Sequence, residues 1–294
     1  MSYRIARHEL AISKTLANCA SSVERVGRRQ WNFALSNGHD ISARARIDEQ
    51  WLLIRAPLAV AARHDAWELL QLNAQLEGLS KFALLPGRDG THVCAEIPLD
   101  EEIDLGARLH EICEGFTAAL EALHDEKTEA GMKPGSPEHL ENIRKDERAD
   151  LRRLCEEAGW TFTEKSEPKV AIDLDVRGGF YKASAEARET GEVLISVELA
   201  RDLLAADECR RALSTLLLRA SGAVRLARAA IEEKEDQTLA RFEASFASAP
   251  CAAELHHALS ALSVACALCG QEAKALQDEF VAKNYNTSLG SARL

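Results

Sequence analysis

The sequence predicts an α+β protein built from two tandem two-layer domains. Each has the order α-β-β-β-α-β-β-α, with an antiparallel sheet packed on helices. Three observations carry this prediction. Hydrophobic periodicity switches from 3.6 to 2 and back, in the same order, twice along the 294 residues. The period-2 segments are joined by short turns, which makes neighbouring strands antiparallel. Their alternation of apolar and polar residues means that helices cover one face of each sheet.

The elements follow in order. Ile5, Ile12, Leu16, Cys19, Val23 and Val26 recur at helical spacing and end at Gly27, which predicts a first helix reaching that glycine. Leu140, Ile143, Leu151, Leu154 and Ala158 repeat the pattern and end at Gly159. A tryptophan follows each helix, Trp31 and Trp160, and the two are aligned as equivalents. Strands come next: WNFALSNG, ISARARID and WLLIRAPL in the first copy, KVAIDLDV, YKASAEAR and GEVLISVEL in the second. Asn37-Gly38 and the Arg-Gly-Gly at 177–179 read as hairpin turns. A helix returns in WELLQLNAQLEG and in CRRALSTLLLRASG, each leading from a glycine into a two-stranded segment. There Gly78, Lys81, Thr91 and Glu96 align with Gly222, Arg225, Thr238 and Glu243, and both glutamates are expected on the solvent side. A closing helix ends each copy, Leu105 to Leu123 and roughly Pro250 to Lys283. The Pro-, Gly- and charge-rich DEKTEAGMKPGSPEH separates the copies, giving domains 1–130 and 136–294.

This order, with NAQLEGLSKFALLPGRDGTHVCAEIPL followed by LGARLHEICEGFTAAL, resembles the type III secretion chaperone fold, and the YbjN-like bacterial proteins are similar to it. The resemblance implies a non-enzymatic protein that holds an extended segment of a client or effector protein on apolar patches. Family members are usually homodimers of a single domain. Two copies on one chain imply a monomeric pseudo-dimer, or a homodimer of such chains. A YbjN-like regulatory protein unrelated to secretion is the alternative, and a cysteine-dependent enzyme is the more distant one.

Composition restricts the partners. The formal net charge of -11 argues against nucleic acid. No uninterrupted apolar run approaches the ~18 residues of a membrane span, so a cytoplasmic protein is expected. In the third strand Trp51 and Leu53 point one way, Leu52 and Ile54 the other, and in the second copy Leu194 opposes Val193 and Ile195. Something must cover both faces: the other domain, a second chain or a client. Trp51, Leu53 and Leu194 are therefore the candidate partner-binding residues.

No residue set calls for a cofactor, a metal or catalysis. Cys266 and Cys269 lie on the seam Leu255, Leu259, Leu262, Ala273, Leu276 and Phe280, where leucine would also serve. Cys251, His256 and His257 are too far along the helix to complete a zinc site with them. His110 and Cys113 sit one turn apart, but no orienting carboxylate is recognisable beside them.

Overall fold

The computed structural model describes residues 2–36, 40–58, 64–124, 149–166, 168–177, 179–188, 191–203, 206–234 and 237–291. The expected domain boundary, Leu140, Ile143, the Asn37-Gly38 turn and Gly178 lie outside the described residues. The first half runs α1 (Ser2–Cys19), β1 (Ser22–Gly27), β2 (Gln30–Ser36), β3 (Asp40–Asp48), β4 (Trp51–Pro57), α2 (Ala66–Gln75), β5 (Lys81–Leu84), β6 (Thr91–Pro98) and α3 (Leu105–His124). The second runs α4 (Leu151–Glu157), β7 (Phe162–Ser166), β8 (Lys169–Val176), β9 (Gly179–Ala187), β10 (Val193–Arg201), α5 (Asp207–Ala223), β11 (Arg228–Lys234), β12 (Gln237–Phe246), α6 (Ala252–Ala275) and α7 (Glu279–Ser291).

The α+β architecture in two similar halves is as the sequence predicts. Each half adds one strand in front of the expected three, giving six-stranded antiparallel sheets ordered β1-β2-β3-β4-β6-β5 and β7-β8-β9-β10-β12-β11. The extra strand explains the first departure from the sequence reading. Helix α1 does not reach Gly27, because the Ser21 backbone N–H and hydroxyl both donate to the Ala34 carbonyl and pull the chain into the sheet. Val23 then faces Phe33 across the ladder, where a β-branched side chain is at home. The helical spacing of Val23 and Val26 was a coincidence of period.

The two tryptophans are not equivalent. Trp31 lies inside β2, fully buried, and its indole N–H donates to Ser13 Oγ at 2.9 Å. Trp160 precedes β7. Counting along the ladders, Phe33 opposite Ala43 matches Ile172 opposite Ala183, so the counterpart of Trp31 is Val170.

Helix α2 opens with a reciprocal cap: Asp65 accepts from the Glu68 N–H while the Glu68 carboxylate accepts from the Asp65 N–H. Helix α6 has Cys251 before its first turn, with Glu254 closing back onto the Cys251 N–H at 2.9 Å. Its buried stripe is Leu255, Leu259, Leu262, Cys266, Cys269, Ala273 and Leu276. The helix stops at Leu276 and a second one starts at Glu279, so Phe280 leaves the stripe and is exposed. Helix α6 has a mean hydropathy of 1.3 over an 18-residue window, enough by length and composition alone to cross a membrane. Polar residues interrupt its apolar runs, which is why run length alone passed over it. In this structure it packs along β8, β10 and β12.

One apolar core runs through both halves. Helix α2 lies on β11 as well as on β5, α5 lies on β5 as well as on β11, and the two helices pack on each other. Gly222 of α5 comes so close to β5 that a Cβ there would overlap the Leu84 carbonyl. Gly78, its partner in the sequence alignment, is needed for a different reason: its φ of 70° is left-handed.

Candidate partner-binding site

The site residues named by the sequence lie on β4 and β10. Leu53 is opposite Arg46 and Leu194 opposite Glu186, which makes them the same ladder position of the two sheets. Both are buried, on the face opposite to Leu52 and Ile54 or Val193 and Ile195, which belong to the main core. Trp51 is half-buried and touches the second half directly. Its ring stands edge-on to His257 at 5.3 Å, and the Arg225 guanidinium lies over it at 5.1 Å. Of the three, only the open edge of Trp51 is offered to solvent.

Buried charges organise the seam, and sequence reasoning missed them. Lys81 is fully buried. Its ammonium group donates to Glu96 Oε2 at 3.0 Å, Val224 O at 2.7 Å and Ala227 O at 3.1 Å, so all three protons have acceptors. The same Glu96 oxygen accepts the Leu226 N–H at 3.1 Å. The second half answers in kind. Arg228 holds Glu243 at 2.8 Å and donates to the carbonyls of Gly78 at 3.0 Å and Ser80 at 2.8 Å, and to that of Leu76. Each half thus sends a cation into the loop that follows the other half's helix.

The alignment of Lys81 with Arg225 is therefore replaced by Lys81 with Arg228. The glutamates expected on the solvent side, Glu96 and Glu243, are buried at 3% and 0% exposure. Lys81 and the Leu226 N–H cover Glu96, and Arg228 and Arg241 cover Glu243. A third buried cation, Arg108 on α3, reaches Glu254 and Glu111 at 2.6 Å each and the Ala249 carbonyl at 3.1 Å. Burial pushes the Glu111 carboxyl up, against the nearby Arg108 charge.

Next to Trp51 the aromatic contacts continue. His257 meets His256 at 6.0 Å between ring centres, and the Trp160 indole N–H donates to His256 Nδ1 at 3.3 Å. Asp100 holds His257 at 2.6 Å. These rings border an open cleft of about 580 Å³ lined by Asp100, Glu101, Glu102, Glu157, His256 and His257. Among the described residues no three potential ligands converge as a metal site would need.

The eight cysteines are free thiols. Burial pushes Cys94, Cys266 and Cys269 up to about 12, as small core residues require. One arrangement was not legible in sequence. The thiol of Cys19, at the end of α1, lies 3.1 Å from His110 Nδ1, and His110 Nε2 lies 3.3 Å from Glu114. An orienting carboxylate does exist beside His110, one helical turn on, and the cysteine facing the ring is Cys19 and not Cys113. The electrostatics oppose a nucleophile there. Burial raises the Cys19 thiol and Glu114 raises it further, and the C-terminal end of a helix disfavours a thiolate.

No protein-family model matches this chain, and no curated protein matches it. Among solved structures, the crystal structure of the di-domain ARO/CYC StfQ from the steffimycin biosynthetic pathway aligns over 98% of this chain and 96% of its own. The sequences are 12% identical and the TM-score is 0.16, so nothing about fold or activity passes from that protein to this one.

Proposed function

We propose that this chain is a cytoplasmic, non-enzymatic protein-binding protein of the secretion-chaperone kind. It is a fused pseudo-dimer that holds an extended segment of a client protein on its sheet and helix surfaces. The observation that carries this reading is the reciprocal seam, in which Lys81 and Arg228 each enter the other half's loop. A dimer interface is thereby built into one polypeptide, and the polar groups at its centre are used up in joining the halves. The frame that remains is rigid at the seam and free on its outer faces, as a holding surface requires. A regulatory binding protein of the YbjN kind is the alternative, and the identity of the partner separates the two.

The test is affinity capture from the native host under gentle conditions, followed by reconstitution of the complex from purified components. The expected result is a stoichiometric protein partner. Recovery of no protein partner overturns the reading. The contact of Cys19 with His110 favours a cysteine-dependent enzyme as the second reading. Thiol profiling decides it: a Cys19 that reacts faster than an unfolded thiol supports the enzyme, and a slower one removes it.

A further inference from the structure

The outer face of the first sheet, turned away from the core, differs from that of the second in one row of side chains. Following the ladder across the first sheet gives Glu24, Asn32, Arg44, Arg55, Cys94 and Lys81, each directly opposite the next. The corresponding row of the second sheet is Thr163, Ala171, Ser184, Ser196, Glu243 and Arg228. In the second sheet the cation and its carboxylate share the row. In the first, Lys81 takes its carboxylate from Glu96 in the next row, and Arg44 and Arg55 remain as surplus charge.

These two arginines are direct cross-strand partners, a placement in which like charges repel. Arg44 donates to the neutral Asn32 side chain at 3.2 Å. Arg55 is half-buried, its Nε is buried without a hydrogen-bond partner, and it makes no ion pair among the described residues. Arg46 projects from the same face two residues along β3, and Arg225 joins from the second half. Both share a single carboxylate, Asp48, at 3.5 and 3.4 Å. Among the described residues, Asp48 is the carboxylate that ion-pairs with this group of four guanidinium groups, and Glu24 stands at the far end of the row, in a chain of net charge -11.

We propose that this face receives a segment of a partner protein rich in Asp and Glu, whose carboxylates pair with Arg44 and Arg55. The proposal rests on the protein-binding reading and gives its partner a chemistry. Guanidinium groups bind carboxylates through two parallel hydrogen bonds. A polypeptide fits better than a nucleic acid. A short acidic segment touches only this patch, whereas a phosphate backbone carries its charge onward over an acidic protein surface.

Calorimetric titration of the full chain with a blocked deca-glutamate peptide tests the proposal, with deca-glutamine and polyuridylate as comparison probes. The wild type is expected to bind deca-glutamate in a salt-sensitive manner and to ignore deca-glutamine. The double variant R44S/R55S, carrying the residues of the second sheet, is expected to bind about ten-fold more weakly or worse. The exposed single variant Arg44→Ser is expected to weaken binding by about three-fold, and Lys182→Ser on the other sheet to leave it unchanged. Equal affinity in wild type and R44S/R55S, no binding by the wild type, or tighter binding of polyuridylate through the same arginines overturns it. A partner captured equally by wild type and R44S/R55S would leave the protein-binding reading standing and remove only this surface.

Discussion

The two halves bury a cation at the same place on the edge strand and neutralise it differently. Arg228 sits directly opposite Glu243, and Arg241 holds the other oxygen of that carboxylate at 2.5 Å. Lys81 sits opposite Cys94 and reaches diagonally to Glu96, which also accepts the Leu226 backbone N–H. The second half is a local network in which Arg228 and Arg241 share Glu243 and Arg241 also holds Glu232 at 2.6 Å. The first is a single pair. Duplication of a fold therefore preserves where charge is buried more strictly than how it is balanced, and the imbalance surfaces as the arginine row.

The difference gives predictions of graded size. Lys81→Met and Arg228→Met should each cost about 3–5 kcal/mol in urea unfolding, because each leaves buried polar groups of the other half unmatched. Rescue should separate them. Adding Glu96→Gln to Lys81→Met recovers part of the loss, since no buried charge is then left behind. Adding Glu243→Gln to Arg228→Met should recover less, since Arg241 is then held by Glu232 alone. Equal rescue in both halves would break the comparison.

Next in size is Gly222→Ala, which should cost about 1–3 kcal/mol by forcing α5 off the Leu84 carbonyl. Gly78→Ala should cost about 1–2 kcal/mol through its left-handed backbone. Thermal melts of the two variants rank them.

Alkaline stability comes next. The thiols of Cys94, Cys266 and Cys269 are raised from 9.0 to about 12, so the unfolded chain releases those protons first. Their contribution is fully present below pH 9 and is lost as pH rises towards 12. A pH series of unfolding curves should fall across that window, and Cys266→Ala should flatten the fall. A slope unchanged by the substitution would remove that thiol from the account.

The smallest effect is on the row itself. R44S/R55S should leave stability unchanged or raise it by less than about 1 kcal/mol, by removing a like-charge pair. Ser184→Arg with Ser196→Arg should lower it by a comparable amount.

Much of the frame was legible in the sequence because periodicity reports which face is covered. The strands β2 to β4 and β8 to β10, the returning helices and the cysteine stripe on α6 all follow from that signal. The residues at the seam were not legible, for a physical reason. A glutamate facing water and one facing a buried cation leave the same mark on an alternating strand. Glu96 and Glu243 read as exposed because alternation does not reveal the cations that cover them, and Arg228 was passed over in favour of Arg225 for want of any local cue. The extra strand β1 was hidden because Val23 and Val26 fit a helix as well as a strand. The contact between Cys19 and His110 joins α1 to α3 and has no sequence signature.

The central claim is that the halves form one body joined by reciprocal buried charges. Equilibrium urea unfolding of the wild type, followed by far-ultraviolet circular dichroism and by tryptophan fluorescence, tests it most directly. Three of the four tryptophans, Trp31, Trp51 and Trp67, belong to the first half, so fluorescence reports chiefly on that half, while dichroism reports on both. The account predicts one transition with coincident midpoints by the two probes, and separated midpoints in Arg228→Met. Two well-separated transitions in the wild type would contradict it.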